Sequence, residues 1–211
     1  MAATIDDVLT FWFGSAPATN ADEFGVKMKR WYLGGEAEDA AIRARFADTI
    51  ELALAGGLEG WEDTPRGRLA LVILLDQMTR SVFRDTAQAF AGDARAQRLA
   101  ATTLEAGRES SLDFEKRHFF YMPLLHAEDA VLLDRFNELF PRALAGVPDW
   151  ARPLLSDGLE QGRKYRDVFA RFGRFPHRNA ALGRRSTPDE VEFLRTWEAR
   201  RRPAVFKALV G

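Results

Sequence analysis

The chain has no cysteine among its 211 residues, which excludes disulfide frameworks, thiolate nucleophiles and zinc sites built on sulfur. Histidine is scarce as well: only His118, His126 and His177 are present, so any imidazole chemistry must use one of these three. No apolar run approaches the length of a membrane span. The opening MAATIDDVLTFWFG carries two aspartates where a secretory signal needs positive charge, and the expectation is a soluble, cytoplasmic protein without a membrane association. β-Branched runs are confined to short pieces such as LALVILL at residues 69–75, whereas Ala, Leu, Arg and Glu dominate. That balance predicts an all-α protein, and the length fits a single all-helical domain over residues 1–211.

Net charge is also nearly absent, at −1, but its distribution is uneven. Residues 1–63 hold 12 acids against 5 bases, and residues 163–207 hold 5 acids against 13 bases. Either the two ends neutralise each other within the fold or between copies, or the C-terminal part presents an anion-binding face.

Helix signals recur along the whole chain. Thr4 with Asp6 and Asp7 opens a helix closed by Gly14; a second lies near residues 26–33, and a third runs from about 36 to 55. Thr64-Pro65 is an N-cap followed by proline at the first helical position, and the helix it starts is apolar nearly all round, as a helix buried on most sides would be. Further helices are expected from Gly92-Asp93 to about Ala106, on both sides of a break near Pro123, and over about 150–172. The capping box Thr187-Pro188-Asp189-Glu190 opens the last. Short, glycine-punctuated turns between these segments predict an irregular stack of helical hairpins.

Three segments carry polar chemistry beside aromatic or apolar helix ends. In LLDQMTRSVFR, residues 74–84, Gln77, Arg80 and Arg84 share a stripe, and Asp76 reaches Arg80 at i+4 spacing. In RHFFYMPLLHAED, residues 117–129, His126 and Asp129 fall on one face, where a carboxylate can orient an imidazole; His118 reads as a core histidine. In RFGRFPHRN, residues 171–179, Gly173 and Pro176 shape a rigid turn that presents Arg174, His177 and Arg178, with Asn179 placed to cap the turn that follows. Such cationic forks suit carboxylate or phosphate, and they equally suit helix C-terminal carbonyls.

These blocks, LALVILLDQMTRSVFRDTAQAFAGDARA, FFYMPLLHAED and ARFGRFPHRNAALGRRSTPDEVEFL, resemble the hallmarks of the bacterial and fungal family called domain of unknown function 924. The likeness extends from VLTFWFG to Leu194. It implies a tetratricopeptide-like helical superhelix, which no 34-residue self-similarity in the sequence establishes. It also implies that Asp76, Gln77, Arg80, Arg84, His126, Glu128, Arg174, His177, Arg178 and Asn179 occupy motif positions. Where members often read LDQFPRN, this chain has Met78, Thr79 and Ser81, and where they read HSE it has Ala127.

The preferred expectation is a binding module, in which Gln77, Arg80, Arg84, Arg174, His177, Arg178 and Asn179 line a pocket between helices for a small anionic ligand or a peptide carboxylate. A hydrolase-type enzyme is the alternative, with His126 or His177 as general acid or base and Asp76, Glu128 or Asp129 as the orienting or second titrating group. A metal-assisted variant using His126, Glu128, Asp129 and His177 matches no ligand spacing, so neither metal nor cofactor is assigned. A third reading makes the polar blocks a purely structural network in a protein-interaction scaffold. Nucleic-acid binding through Phe172 and Phe175 is disfavoured by a sequence pI near 6.3. A homo-oligomer stays open.

Overall fold

The computed structural model describes residues 2–201, with side chains described to residue 197. Helices α1 (Ile5–Phe13), α2 (Ala21–Leu33) and α3 (Gly35–Leu54) lead to α4 (Pro65–Val72), which continues through a π-helical segment, Ile73–Met78, into α5 (Thr79–Val82). Then follow α6 (Asp93–Glu105), α7 (Phe114–Leu125), α8 (Ala130–Ala145), α9 (Arg152–Leu155), α10 (Asp157–Phe172) and α11 (Pro188–Arg201). The protein is all-α, and no strand occurs among the described residues. The helices range from 4 to 20 residues, too unequal to establish a regular tetratricopeptide array.

Local sequence accounts for most boundaries. Thr4 and Asp7 form a reciprocal capping box on α1. Asn20, Thr64, Asp113 and Asp129 each accept a backbone N–H at the start of α2, α4, α7 and α8. Thr187 and Glu190 cap α11 reciprocally. Three expected boundaries differ. α2 starts at Ala21, capped by Asn20, instead of near residue 26. Pro123 does not break its helix: α7 runs through it to Leu125, where Phe119, Phe120 and Leu124 on either side are fully buried and hold the segment in place. The helix expected over 150–172 is divided at Ser156, whose hydroxyl bonds the Pro153 carbonyl.

Residues 69–75 are all fully buried, so the α4 rod is the axis of the core, with α1, α3, α6 and α7 packed around it. An aromatic cluster extends this core: Phe119 meets Trp12, Phe13 and Trp31 edge to face at 5.0–5.7 Å between ring centroids. A smaller cluster of Leu133, Val168, Phe175 and Trp197 seats the C-terminal segment on α8 and α10. Among the described residues, ion pairs run from each end to the middle of the chain. Asp39 and Glu62 pair with Arg84, Arg95 and Arg98 of the middle, and Arg166, Arg178 and Arg184 pair with Asp134, Asp93 and Glu128, also of the middle.

His118 is a core histidine, 7% exposed, its Nε2 2.8 Å from the Tyr32 hydroxyl. Burial pushes its pKa down to about 4, below the 6.5 of an ordinary histidine. The unfolded chain therefore binds a proton at this position between those values while the folded chain does not. Stability from this group is intact above pH about 6.5 and falls as pH drops toward 4, by on the order of 3 kcal/mol in total. Urea unfolding at stepped pH should show this slope, and a His118→Gln variant should flatten it; an unchanged slope in the variant would assign the acid sensitivity elsewhere.

Candidate functional site

The polar site begins inside the most apolar helix. In the π-helical turn the Thr79 N–H reaches back to the Leu74 carbonyl, one residue farther than in an α-helix. The Leu75 carbonyl, which an α-helix would pair with that N–H, instead accepts from the Thr79 hydroxyl at 2.8 Å. The Asp76 carbonyl accepts from Arg80 Nη1 at 2.5 Å. Thr79, standing where the family pattern often has proline, thus supplies a bond that the widened turn needs. The same turn receives Gly92: a Cβ there would lie 2.4 Å from the Leu75 carbonyl oxygen, so only glycine lets the start of α6 approach. That approach delivers Asp93, the first residue of α6, to the Arg80 guanidinium.

Asp76 is fully buried. Both its carboxylate oxygens hold His126 Nδ1, at 2.8 and 3.0 Å. Arg80 Nη1 lies 3.2 Å from Oδ1, and the Gln77 amide donates to Oδ2. Burial opposes the charge, but Arg80, His126 and Gln77 outweigh it and hold Asp76 well below the ordinary carboxylate range. Asp93 moves the other way: burial raises its pKa and the neighbouring Asp76 charge adds to this, against the attraction of Arg80 and Arg178. Its Oδ2 accepts from Arg80 Nη2 at 3.0 Å and Arg178 Nη1 at 3.2 Å. Its Oδ1, although 2.9 Å from Arg80 Nη1, lacks hydrogen-bond alignment.

Arg178, 6% exposed, closes the ring of charge. Its Nη2 donates to the His126 carbonyl at 2.6 Å, and its guanidinium lies over Phe90 and Phe175 at 4.7 and 5.0 Å. His126, at the C-terminal end of α7, is thereby fastened through both its ring and its backbone. Its other ring nitrogen, Nε2, retains solvent contact and meets no hydrogen-bond partner among the described residues.

Asp76, Gln77, Arg80, His126 and Arg178 therefore converge, but the remaining expected residues do not join them. Arg84 lies beyond the end of α5 at Val82 and pairs with Asp39 at 2.5 Å; the stripe with Gln77 and Arg80 fails because the helix stops first. Arg174 forms a two-pronged bond with Glu190 at 2.7 and 2.8 Å. Glu128 binds Arg184 and the Phe175 N–H, and Asp129 caps α8 with its side chain instead of touching His126. His177 stacks between Phe175 and Trp197, 5.6 and 5.4 Å from their ring centroids. Asn179 does not cap the turn after it; its amide bonds Ser186 and Glu190. The side chains considered together as metal ligands thus go to four different surroundings. Sequence reasoning missed Asp93 and Arg184. Asp93 looked like an ordinary acid complementing a helix N-terminus; the adjacent Gly92 was the available sign of a close approach.

The family model for a bacterial protein of unknown function, DUF924, matches residues 8–197, a span that contains every residue of this cluster. The chain belongs to the DUF924 family. A solved structure of a protein of unknown function, ATU0120, from Agrobacterium tumefaciens is 33% identical, with 90% of this chain and 96% of that one covered at a TM-score of 0.72. No curated protein matches. Membership of DUF924 therefore fixes the fold and leaves the activity to be argued from the site.

A Gly92→Ala substitution should destabilise by roughly 1–3 kcal/mol through overpacking against the π turn, measured by denaturant unfolding. A stability equal to that of the parent protein would show that α6 can retreat without cost.

Proposed function

We propose that Asp76 and His126 form the general acid–base centre of a hydrolytic enzyme. The observation that carries this reading is the orientation of His126: a fully buried carboxylate holds Nδ1 through both oxygens, while Nε2, on a side chain 21% exposed, has no hydrogen-bond partner among the described residues. An ionised Asp76 keeps the proton on Nδ1 and leaves the lone pair on Nε2. That nitrogen takes a proton from a water molecule as the water oxygen attacks an ester, amide or phosphoester. The imidazolium so formed is stabilised by Asp76 and returns the proton to the leaving group. Arg80, bonded to the same carboxylate, helps to keep Asp76 ionised against the imidazole. The environment lowers the pKa of one carboxyl group, Asp76, and raises that of its neighbour Asp93.

Anion capture by the arginines is the weaker reading on this geometry. Arg80, Arg84, Arg174 and Arg178 each already face a carboxylate, from Asp76 or Asp93, Asp39, Glu190 and Asp93, so an incoming anion competes with an internal one. The same pairing favours a structural network as the second reading, because breaking a buried pair costs about 3–5 kcal/mol.

A panel of chromogenic esters, amides and phosphoesters separates these readings. Turnover is expected, and His126→Gln and Asp76→Asn should each lower it by a factor of about 10²–10⁴. A Gln amide at 126 can still donate to Asp76, so His126→Gln should stay folded with a loss of turnover far larger than its loss of stability accounts for. Unchanged turnover in His126→Gln would remove the dyad from the chemistry. Independently of any substrate, ¹⁵N NMR at neutral pH should find the His126 proton on Nδ1; a proton on Nε2 alone would overturn the base assignment.

A further inference from the structure

Gln77 belongs to the Asp76 cluster but takes no part in the proton transfer between Asp76, His126 and water. Its side chain is half-buried, and its amide nitrogen donates to Asp76 Oδ2. An ionised carboxylate can only accept, so the nitrogen end of the amide must face it and the carbonyl end, Oε1, must turn away. Oε1 meets no hydrogen-bond partner among the described residues, and it is not one of the unpartnered polar atoms sealed from solvent. The same carboxylate oxygen, Oδ2, lies 3.0 Å from His126 Nδ1. Two donors on one oxygen stand about 4–5 Å apart, which sets the Gln77 amide beside the imidazole. Asp76 thus takes Arg80 at one oxygen, Gln77 at the other and His126 across both.

One buried anion therefore fixes two acceptors. Asp76 keeps the proton on His126 Nδ1, so Nε2 presents a lone pair, and it keeps the Gln77 nitrogen turned inward, so Oε1 presents lone pairs as well. A water molecule has two protons to give and can meet both acceptors at once. Its own lone pair then points away from them, toward an incoming carbonyl carbon. A nucleophile with a single O–H can meet only one of the two.

We propose that Gln77 is a further catalytic residue, the group that holds and aims the attacking water; this rests on the reading of Asp76 and His126 as the acid–base centre. The water gives one proton to Nε2 and a hydrogen bond from the other to Oε1. As its oxygen bonds to the carbonyl carbon of an ester, the carbonyl π electrons move onto oxygen and the first proton passes to Nε2. Collapse of this tetrahedral oxyanion breaks the bond to the leaving oxygen, which takes the proton from Nε2, while the second proton stays on the new carboxyl group. Gln77 neither gains nor loses a proton. Its contribution is orientation.

Hydrolysis of 4-nitrophenyl acetate by the full chain, with methanol as a competing nucleophile, tests this. Without methanol, Gln77→Met and Gln77→Lys should each lower kcat about 10–100-fold with KM unchanged, because the lost interaction is with water and not with the ester. The lysine variant still offers Asp76 a donor, so it separates loss of the acceptor from damage to the dyad. With methanol present, the ratio of methyl acetate to acetate formed should rise about fivefold or more in both variants, since methanol has one O–H and gains nothing from Oε1. A merely structural Gln77 would lower both products together; a ratio equal to that of the parent protein in both variants would overturn the proposal. His126→Gln should lower both products in the parent ratio. If it keeps parental turnover, or if the parent does not hydrolyse the ester, the acid–base reading itself fails and the role of Gln77 falls with it.

Discussion

A carboxylate with no solvent exposure sits in the middle of the most apolar helix of the chain. An isolated charge in that position is prohibitively unfavourable, so the structure around Asp76 has to supply compensation from several directions at once. Part comes from its own helix, through Gln77 and Arg80, and part from α7 through His126. Arg80 in turn draws in Asp93, and Asp93 draws in Arg178. The geometry of the core helix follows the same demand. A π turn over Ile73–Met78 widens the backbone where Asp76 and Arg80 meet, and π turns are found disproportionately where a helix carries function.

That chain of compensation also anchors the C-terminal part of the fold. The turn at Pro176–Arg178 has few apolar residues of its own, yet Phe175 is fully buried and Arg178 crosses to Asp93 and the His126 carbonyl. Two further pairs repeat the device: Arg184 with Glu128, and Arg174 with Glu190. Together with the stack of Phe175, His177 and Trp197, these bonds fix the segment after α10 onto the end of α7. The position of the His126 ring thus depends on residues some fifty positions away, which is why the polar blocks of the sequence form one network rather than separate motifs.

Two places where the molecule leaves polar atoms without a partner differ in kind. Around Asp76 nearly every donor and acceptor is paired and one imidazole nitrogen is left open, an arrangement suited to moving a proton. Beside the aromatic rings packed against α7, Glu109 Oε2 and His118 Nδ1 are buried without a hydrogen-bond partner. Tyr32 stands between them, bonded to His118 and with its hydroxyl pKa raised by burial and by the charge of Asp76. The helix α7 carries both His118 and, at its end, His126.

Much of the helical plan was legible because caps and breakers act locally. Thr4 with Asp7, Thr64 with Pro65, Gly107 and Gly173 at positive φ, and Thr187 with Glu190 set boundaries through bonds to neighbours within a few residues. Pro123 misled because a local breaker yields when the residues on either side are buried on all faces. The site was legible only in part for a related reason. Asp76 and Arg80 are i+4 partners on one helix, so spacing alone paired them, but whether Arg84 followed depended on where the helix stopped. Glu128 and Asp129 lie beside His126 in sequence and point elsewhere.

By itself the sequence determined that the chain is all-α, where most of its helices start and stop, and which helix is central, since periodicity, capping and hydropathy are properties of short windows. Tertiary structure alone decided that Asp76 takes His126, that Arg178 takes Asp93, and that His177 stacks between Phe175 and Trp197. Those choices are made across 50 and 85 residues of chain, between charges whose partners are selected by burial and close approach, and neither quantity is written in the spacing of residues.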